Sequence, residues 1–204
     1  LAAVIHRQQT GEGQYIDLSM TDAVYSMHAL SGAEWLSGGE EPEAESGMLN
    51  GGTLYDYYET RDGRWISVGS LEPVFLKRLC LEMDLQEFEG IPLDNVKSQK
   101  RLKSKLRKAF KTRGFQEWIE IFQKIDACVE PVLKPSEAAS HPQLREREMI
   151  DNVENEIGDS IRQISSPFRF SKTPVVPGFA GRKLGADTLS VLKELGWDNE
   201  SIST

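Results

Sequence analysis

Two short alternating segments with a tight turn between them constrain this chain most. Leu54 to Thr60 and Trp65 to Gly69 alternate in polarity, and Asp62-Gly63 lies between them. Alternation turns one face of each segment toward a core, and an Asp-Gly pair suits the positive φ angles of a tight hairpin. The pattern predicts an antiparallel hairpin. The segments after the hairpin read as helices. Pro73 suits the first position of a helix carrying Phe75, Leu76 and Leu79. A second helix is predicted over 94–111, with Leu102, Leu106 and Phe110 in line. A third is predicted over 115–124, with Phe115, Trp118, Ile119 and Phe122 on one face. Asp126 to Leu133 reads as a short buried strand. A hairpin gathered with helices in this way is an α+β module.

The flanks differ in character. Residues 1–9 read as the end of a helix, Thr10-Gly-Glu-Gly13 as a turn, and Gln14 to Leu18 as a strand. Ser19 then caps a helix, with Asp22 three residues on, as in a capping box. Its stripe is Met20, Ala23, Val24, Met27 and Leu30, and Gly38-Gly39 ends it. Residues 38–47 form an acidic connector. Beyond the module's third helix, Pro135 to Ala139 reads as a helical turn and His141-Pro142 as the start of another. Ile150 to Phe170 reads as short strands. Pro174 and Pro177 mark an extended linker, and a last helix runs from Asp187, a plausible cap, through Leu189, Leu192 and Leu195 to Gly196.

Composition excludes some functions. The 204 residues carry a net charge of −8, which repels nucleic acid and anionic membrane in the mean field. No apolar run approaches the ~20 residues of a membrane span. The start, Leu1-Ala-Ala-Val-Ile-His-Arg7, lacks a signal peptide's basic start and long apolar run. Because Leu rather than Met comes first, a piece of a longer chain is expected. Cys80 and Cys128 read as two reduced, buried thiols, with a disulfide the less favoured alternative. Three scattered histidines and two lone cysteines give no metal-ligand spacing. Lys97, Lys100, Arg101, Lys103, Lys105, Arg107, Lys108, Lys111 and Arg113 form a basic run without an intervening acid. The apolar line Leu102–Leu106–Phe110 makes this the solvated face of an amphipathic helix. No aromatic residues are interleaved for base stacking.

Several segments together resemble the CaiB/BaiF (class III CoA-transferase) superfamily, on its α-methylacyl-CoA racemase branch. Leu1 to Arg7 with Thr10 to Met20 resembles a helix, turn and strand of that family's large domain. Met48-Leu-Asn-Gly-Gly52 with Tyr55, Tyr57 and Tyr58 resembles the lead-in to its small domain. Asp62-Gly-Arg-Trp-Ile-Ser-Val-Gly-Ser-Leu-Glu-Pro73 resembles the hairpin and acidic corner of its racemases, which usually read Ala-Ile where this chain has Ser70-Leu71. Asp126-Ala-Cys-Val-Glu-Pro-Val-Leu133 is similar to a racemase stretch almost residue for residue. Gly185-Ala-Asp-Thr188 and Leu195-Gly-Trp197 resemble the C-terminal helix.

The resemblance implies a fold class of α/β plus α+β. Residues 1–47 would supply the C-terminal part of a Rossmann-like large domain and 48–173 the small α+β domain. Residues 174–204 would return to the large domain. It also implies an interlocked homodimer in the cytoplasm that acts on acyl-CoA thioesters. Coenzyme A would enter as part of the substrate, with no separate cofactor or metal and no nucleic-acid or membrane partner. Racemising a 2-methylacyl-CoA removes the proton beside the thioester carbonyl and returns one to the opposite face. The family's racemases use a His and an Asp, assisted by a Glu. The resemblance places the His and Asp upstream of Leu1 and matches the Glu to Glu72. Glu72 also reads as an N-terminal capping acid. Asn50 stands where the racemases often carry Asp. Gly51-Gly52 reads as a linker hinge, or as a close approach of backbone to the pantetheine arm. Tyr55 is a candidate for the acyl pocket, against plain packing. Asp187 replaces a His common in relatives and reads as a helix cap. A racemase, a CoA transferase working through an aspartyl acyl-anhydride, and a structural or dimerisation piece inactive alone are the three readings.

Overall fold

Ser19 opens its helix as its side chain requires. The hydroxyl accepts the free backbone N–H groups of Thr21 and Asp22 at 3.1 and 3.4 Å. This computed structural model describes residues 1–176, 178 and 180–198, so the Pro177 part of the expected linker lies outside the described residues. The N-terminal helices are Ala2–Thr10 (α1), Met20–Ser26 (α2) and Ser31–Leu36 (α3). The single helix expected from Ser19 to Gly38 is therefore two. The strand expected over Gln14–Leu18 does not form, and residues 12–19 are neither helix nor strand. A strand needs a neighbour for its N–H and C=O groups, and none pairs with this segment among the described residues. None of the three helices buries a residue: Met20, Val24, Met27 and Leu30 are all exposed. The stripe read from the sequence is exposed, with nothing packed on it among the described residues.

Gly63 takes a φ of 75°, and the predicted hairpin forms around it. Asp56–Glu59 (β1) pairs antiparallel with Trp65–Val68 (β2), with Tyr58 opposite Ile66. Pro73–Glu82 (α4) follows, with Pro73 at its first position and a 3-10 turn at Gln86–Phe88 after it. Val96–Phe110 (α5) and Phe115–Phe122 (α6) are the second and third expected helices, trimmed at their ends. Val129–Pro131 (β3) pairs with the far side of β2, giving the sheet order β1-β2-β3. This strand is shorter than the expected Asp126–Leu133, and Glu130 faces solvent. Cys128, with a φ of 51°, bends the chain into it.

The core of this first unit lies between the sheet and its helices. Period two carries Tyr58, Ile66 and Val68 inward, and helical spacing carries Leu102, Leu106 and Phe110 to meet them. Phe110 is central: its ring lies 5.2 Å from Tyr58, 5.0 Å from Trp118 and 6.1 Å from Phe122. Burial pushes the Tyr58 phenol far above its ordinary range, and its hydroxyl donates to the Leu54 carbonyl at 2.7 Å.

Asp62 does more than turn the hairpin. It accepts from the Thr60 hydroxyl at 2.5 Å and from the Phe115 backbone N–H at 3.1 and 3.2 Å, so the hairpin caps α6. The Thr60 hydrogen bond leads in holding this carboxyl below the ordinary 3.8, with slight desolvation opposing and the Phe115 N–H assisting. A carboxylate with a lowered folded pKa adds stability above its unfolded pKa and loses it as pH falls through the folded value. We expect Asp62→Asn to lower stability at neutral pH and to flatten its fall toward about pH 2, as measured by urea melts across that range.

Two compact units divide the chain, the first ending at Val132. The second begins with two short helices, Pro135–Ser140 (α7) and Pro142–Glu146 (α8), as the proline spacing requires. An antiparallel pair follows, Ile150–Glu154 (β4) with Ser160–Ile164 (β5). Asn155 shapes its turn by accepting from the N–H groups of Ile157 and Asp159. Thr188–Glu194 (α9) is the last helix. Asp187 stands at its N-cap position, but its side chain makes no cap bond and pairs with Arg182 instead, which corrects the capping role expected of it.

Candidate active site

An open cavity of about 520 Å³ lies against the sheet of the first unit. That is within the size range of small-molecule sites, about 300–1,000 Å³. Three stretches form it: Leu49–Gly51 with Tyr55–Tyr57, Ser67–Gly69 at the end of β2, and Ile125–Glu130 leading into β3.

Three expected substrate contacts come together here, since Asn50, Gly51 and Tyr55 line the cavity. Gly52 does not, and its glycine has a different reason. A Cβ there would collide with the Ser46 carbonyl oxygen, because the Gly52 N–H bonds back to the Gly47 carbonyl at 3.0 Å. Gly51 has a φ of 82°. The pair thus makes a tight turn over residues 45–47. Thr53 locks this turn by donating to the Met48 carbonyl at 2.7 Å.

Glu72 stands one residue before α4, exposed and outside the cavity lining. Its carboxylate makes no cap bond, so the expected capping role is not realised. The charge still reaches the rim of the cavity. Cys128 lines the cavity, and its thiol is pushed above its ordinary value of 9.0. Partial desolvation of the sulfur leads, followed by the charges of Glu72, Asp126 and Glu130. Removing one negative charge favours the thiolate, the form that is alkylated. We expect Glu72→Gln to speed iodoacetamide labelling of Cys128 at fixed pH, read by peptide mass spectrometry. An unchanged rate would place Glu72 away from the rim.

Two side chains tie the Glu72 corner to this rim. The buried Ser70 hydroxyl donates to the Ala127 carbonyl at 2.5 Å. Arg78 of α4 donates to the Asp126 carbonyl at 2.7 Å and pairs with its carboxylate at 2.8 Å. Ser70-Leu71 stands where an Ala-Ile pair is the expected pattern, and the Ser70 hydroxyl makes a bond that Ala could not. Cys128 also corrects the expectation of two buried thiols: Cys80 is buried, Cys128 is exposed, and both are free. Burial leads in pushing the Cys80 thiol up to about 11, with Glu89 and Glu87 adding to it.

The basic run is less uniform than its composition. Lys111 and Arg113 fall beyond α5, where Lys111 pairs with Glu59 at 2.5 Å and Arg113 stacks over Trp118. Arg107 reaches Asp56 at 3.4 Å. Lys103 is buried, which the reading of a solvated face missed, and its ammonium lies 2.7 Å from Asp56 Oδ2. Partial burial would raise the Asp56 carboxyl. The hydrogen bond from Lys103, the Tyr57 N–H and the charges of Lys103 and Arg107 together hold it below 3.8.

The sequence pattern of CoA-transferase family III matches residues 1–188. The chain belongs to that family. Within CoA-transferase family III it is 30% identical to the human alpha-methylacyl-CoA racemase, over 99% of this chain and 52% of that protein. It is 32% identical to the mouse alpha-methylacyl-CoA racemase, over 98% of this chain and 52% of that protein. A solved CaiB/BaiF family protein from Brucella suis superposes with a TM-score of 0.73 at 19% identity, over 95% of this chain and 51% of that one. This likeness shows the fold: the helices and small antiparallel sheets are those of the CaiB/BaiF proteins. The chain spans about half the length of the relatives it matches. Among the described residues no helix is long and apolar enough to cross a membrane.

Proposed function

We propose that the full-length protein carrying this chain racemises 2-methylacyl-CoA thioesters, and that the cavity beside β2 and β3 holds part of the substrate. The similarity to racemases along nearly the whole chain carries this reading. The site agrees with it in kind. Asn50, Gly51 and Tyr55 offer a polar contact, an open backbone and an aromatic wall in one cavity. Glu72 lies at an adjoining corner, linked to it through Ser70 and Arg78.

The chemistry needs one group to take the α-proton, a partner to give one to the opposite face, and stabilisation of the enolate oxygen between the two steps. Glu72 assists the proton transfer in this reading. The His and Asp that move the protons come from polypeptide outside this chain. The protein works as a cytoplasmic homodimer with CoA entering only as part of the substrate. The domain layout is a large domain contributed in part by residues 1–47, a small domain over 48–173 and a return over 174–204. In line with it, the exposed apolar faces of α1 to α3 form the kind of surface that packs on another polypeptide segment.

A CoA transferase is the second reading, favoured by the family's own description. The two differ in what happens to the substrate. A racemase brings solvent hydrogen onto the α-carbon with no acceptor acid present, whereas a transferase needs the acceptor and passes through a hydroxylamine-sensitive acyl-enzyme. Supplying one 2-methylacyl-CoA enantiomer without any acid, and following it by chiral chromatography, separates them. Appearance of the other enantiomer supports the racemase.

A further inference from the structure

Lys103 is an unusual residue to find inside this unit. It is the only buried charged side chain among the described residues, 8% exposed, on a helix whose other lysines face solvent. A buried ammonium is costly unless its donors are satisfied. Here it donates to the Gly51 carbonyl at 2.6 Å and pairs with the Asp56 carboxylate at 2.7 Å. Those two residues bound one short stretch, of which Gly51, Tyr55 and Asp56 line the cavity. One turn earlier on the same face of α5, Gln99 is completely buried. Its Oε1 accepts from the Leu54 N–H at 3.1 Å, and its Nε2 donates to the Pro92 carbonyl at 3.3 Å. The two side chains therefore take up backbone groups at Gly51 and Leu54 that no strand partner serves. Tyr55 follows directly, and its own N–H is held by the Thr53 hydroxyl.

Gly51 and Gly52 give this wall the backbone freedom that a hinge would have. Thr53 and the Gly52 N–H hold its near side, and the α5 pair holds the rest. From this we infer that Lys103 and Gln99 are positioning residues, a clamp that fixes the Gly51–Asp56 wall in the shape that receives the acyl-CoA. The inference rests on the reading that this cavity takes the substrate. It gives Lys103 a role through Gly51 and Asp56, without contact to the reacting atoms.

The test uses the full-length protein and four variants. Lys103→Met keeps length but loses both bonds, and Lys103→Arg keeps a donor. Asp56→Asn keeps volume and the Lys103–Gly51 bond, and serves should Lys103→Met not fold. Phe122→Leu loosens the core on α6, away from the clamp. Backbone hydrogen exchange over residues 50–56 and steady-state kinetics with 2-methylacyl-CoA are measured for each. In Lys103→Met, exchange over 50–56 rises about tenfold or more with α6 unchanged, and KM rises about tenfold with kcat moving less, the scale expected of a displaced substrate wall. Lys103→Arg recovers part of both, and Asp56→Asn shows the same pattern more weakly. Phe122→Leu lowers Tm but leaves KM and the 50–56 segment near the unmodified protein. Wild-type exchange and KM in Lys103→Met would overturn the clamp. So would freer exchange with an unmoved KM, or a Phe122→Leu variant that shifts KM as far. Should the unmodified protein turn over no acyl-CoA, the racemase reading fails, and the exchange data alone decide whether the clamp exists.

Discussion

On the proposed racemase reading, Glu72→Gln is expected to lower kcat/KM for 2-methylacyl-CoA by about 10²-fold in the full-length protein, the lower end of what a positioned acid–base group contributes. The change removes one charge and keeps the shape. Glu72 makes no cap bond to α4 and is exposed, so the fold has little to lose from it. The melting temperature should stay within about a degree or two, as for surface substitutions that break no contact. A Glu72 that merely started its helix would show no loss of turnover. Chiral analysis of initial rates, with Glu72→Asp beside it, checks the result. Asp keeps the charge but withdraws it, and recovers part of the rate.

Phe110→Ala destabilises the first unit by about 3–5 kcal/mol, the usual range for deleting a fully buried aromatic ring. Phe110 is 0% exposed and touches three other rings. Its carbonyl also holds the Trp118 indole N–H at 2.9 Å, so loss of the ring loosens the end of α5 where that bond is made. A loss this size consumes much of a typical domain's stability, and the variant is best compared at low temperature. Urea unfolding followed by Trp118 fluorescence reads it. A cost near that of a surface change would mean that the sheet and helices are held elsewhere.

Much of the first unit was legible because its signals are local. Asp62-Gly63 sets the hairpin, Pro73 starts α4, and the line Leu102–Leu106–Phe110 fixes the buried face of α5. Each depends on residues within a turn or two of one another. The failures depend on partners that the local pattern does not announce. Gln14–Leu18 has strand composition, but no neighbouring strand satisfies its backbone among the described residues. Asp187 lies at a helix start, yet Arg182, five residues earlier, takes its carboxylate.

The site divides the same way. Asn50, Gly51 and Tyr55 are near neighbours in sequence and stay together in the cavity. Lys103 looked like one of nine cations on a solvated face. Only the fold reveals that it points inward, toward Gly51 and Asp56. One signal could have found it: Lys103 and Gln99 are four apart and adjoin the apolar stripe, so both flank the face that packs. Gly52 shows the opposite case. Its glycine looked suited to a ligand, and its own turn explains it.

The most direct measurement is hydrogen exchange at the α-carbon. Full-length protein is incubated with a single 2-methylacyl-CoA enantiomer in deuterium oxide, with no carboxylic acid added, and the recovered thioester is examined by mass spectrometry and proton NMR. Deuterium entering at the α-carbon together with inversion, both slowed in Glu72→Gln, is the predicted result. An α-proton that stays in place, while CoA moves only after an acceptor acid is supplied, would contradict the account.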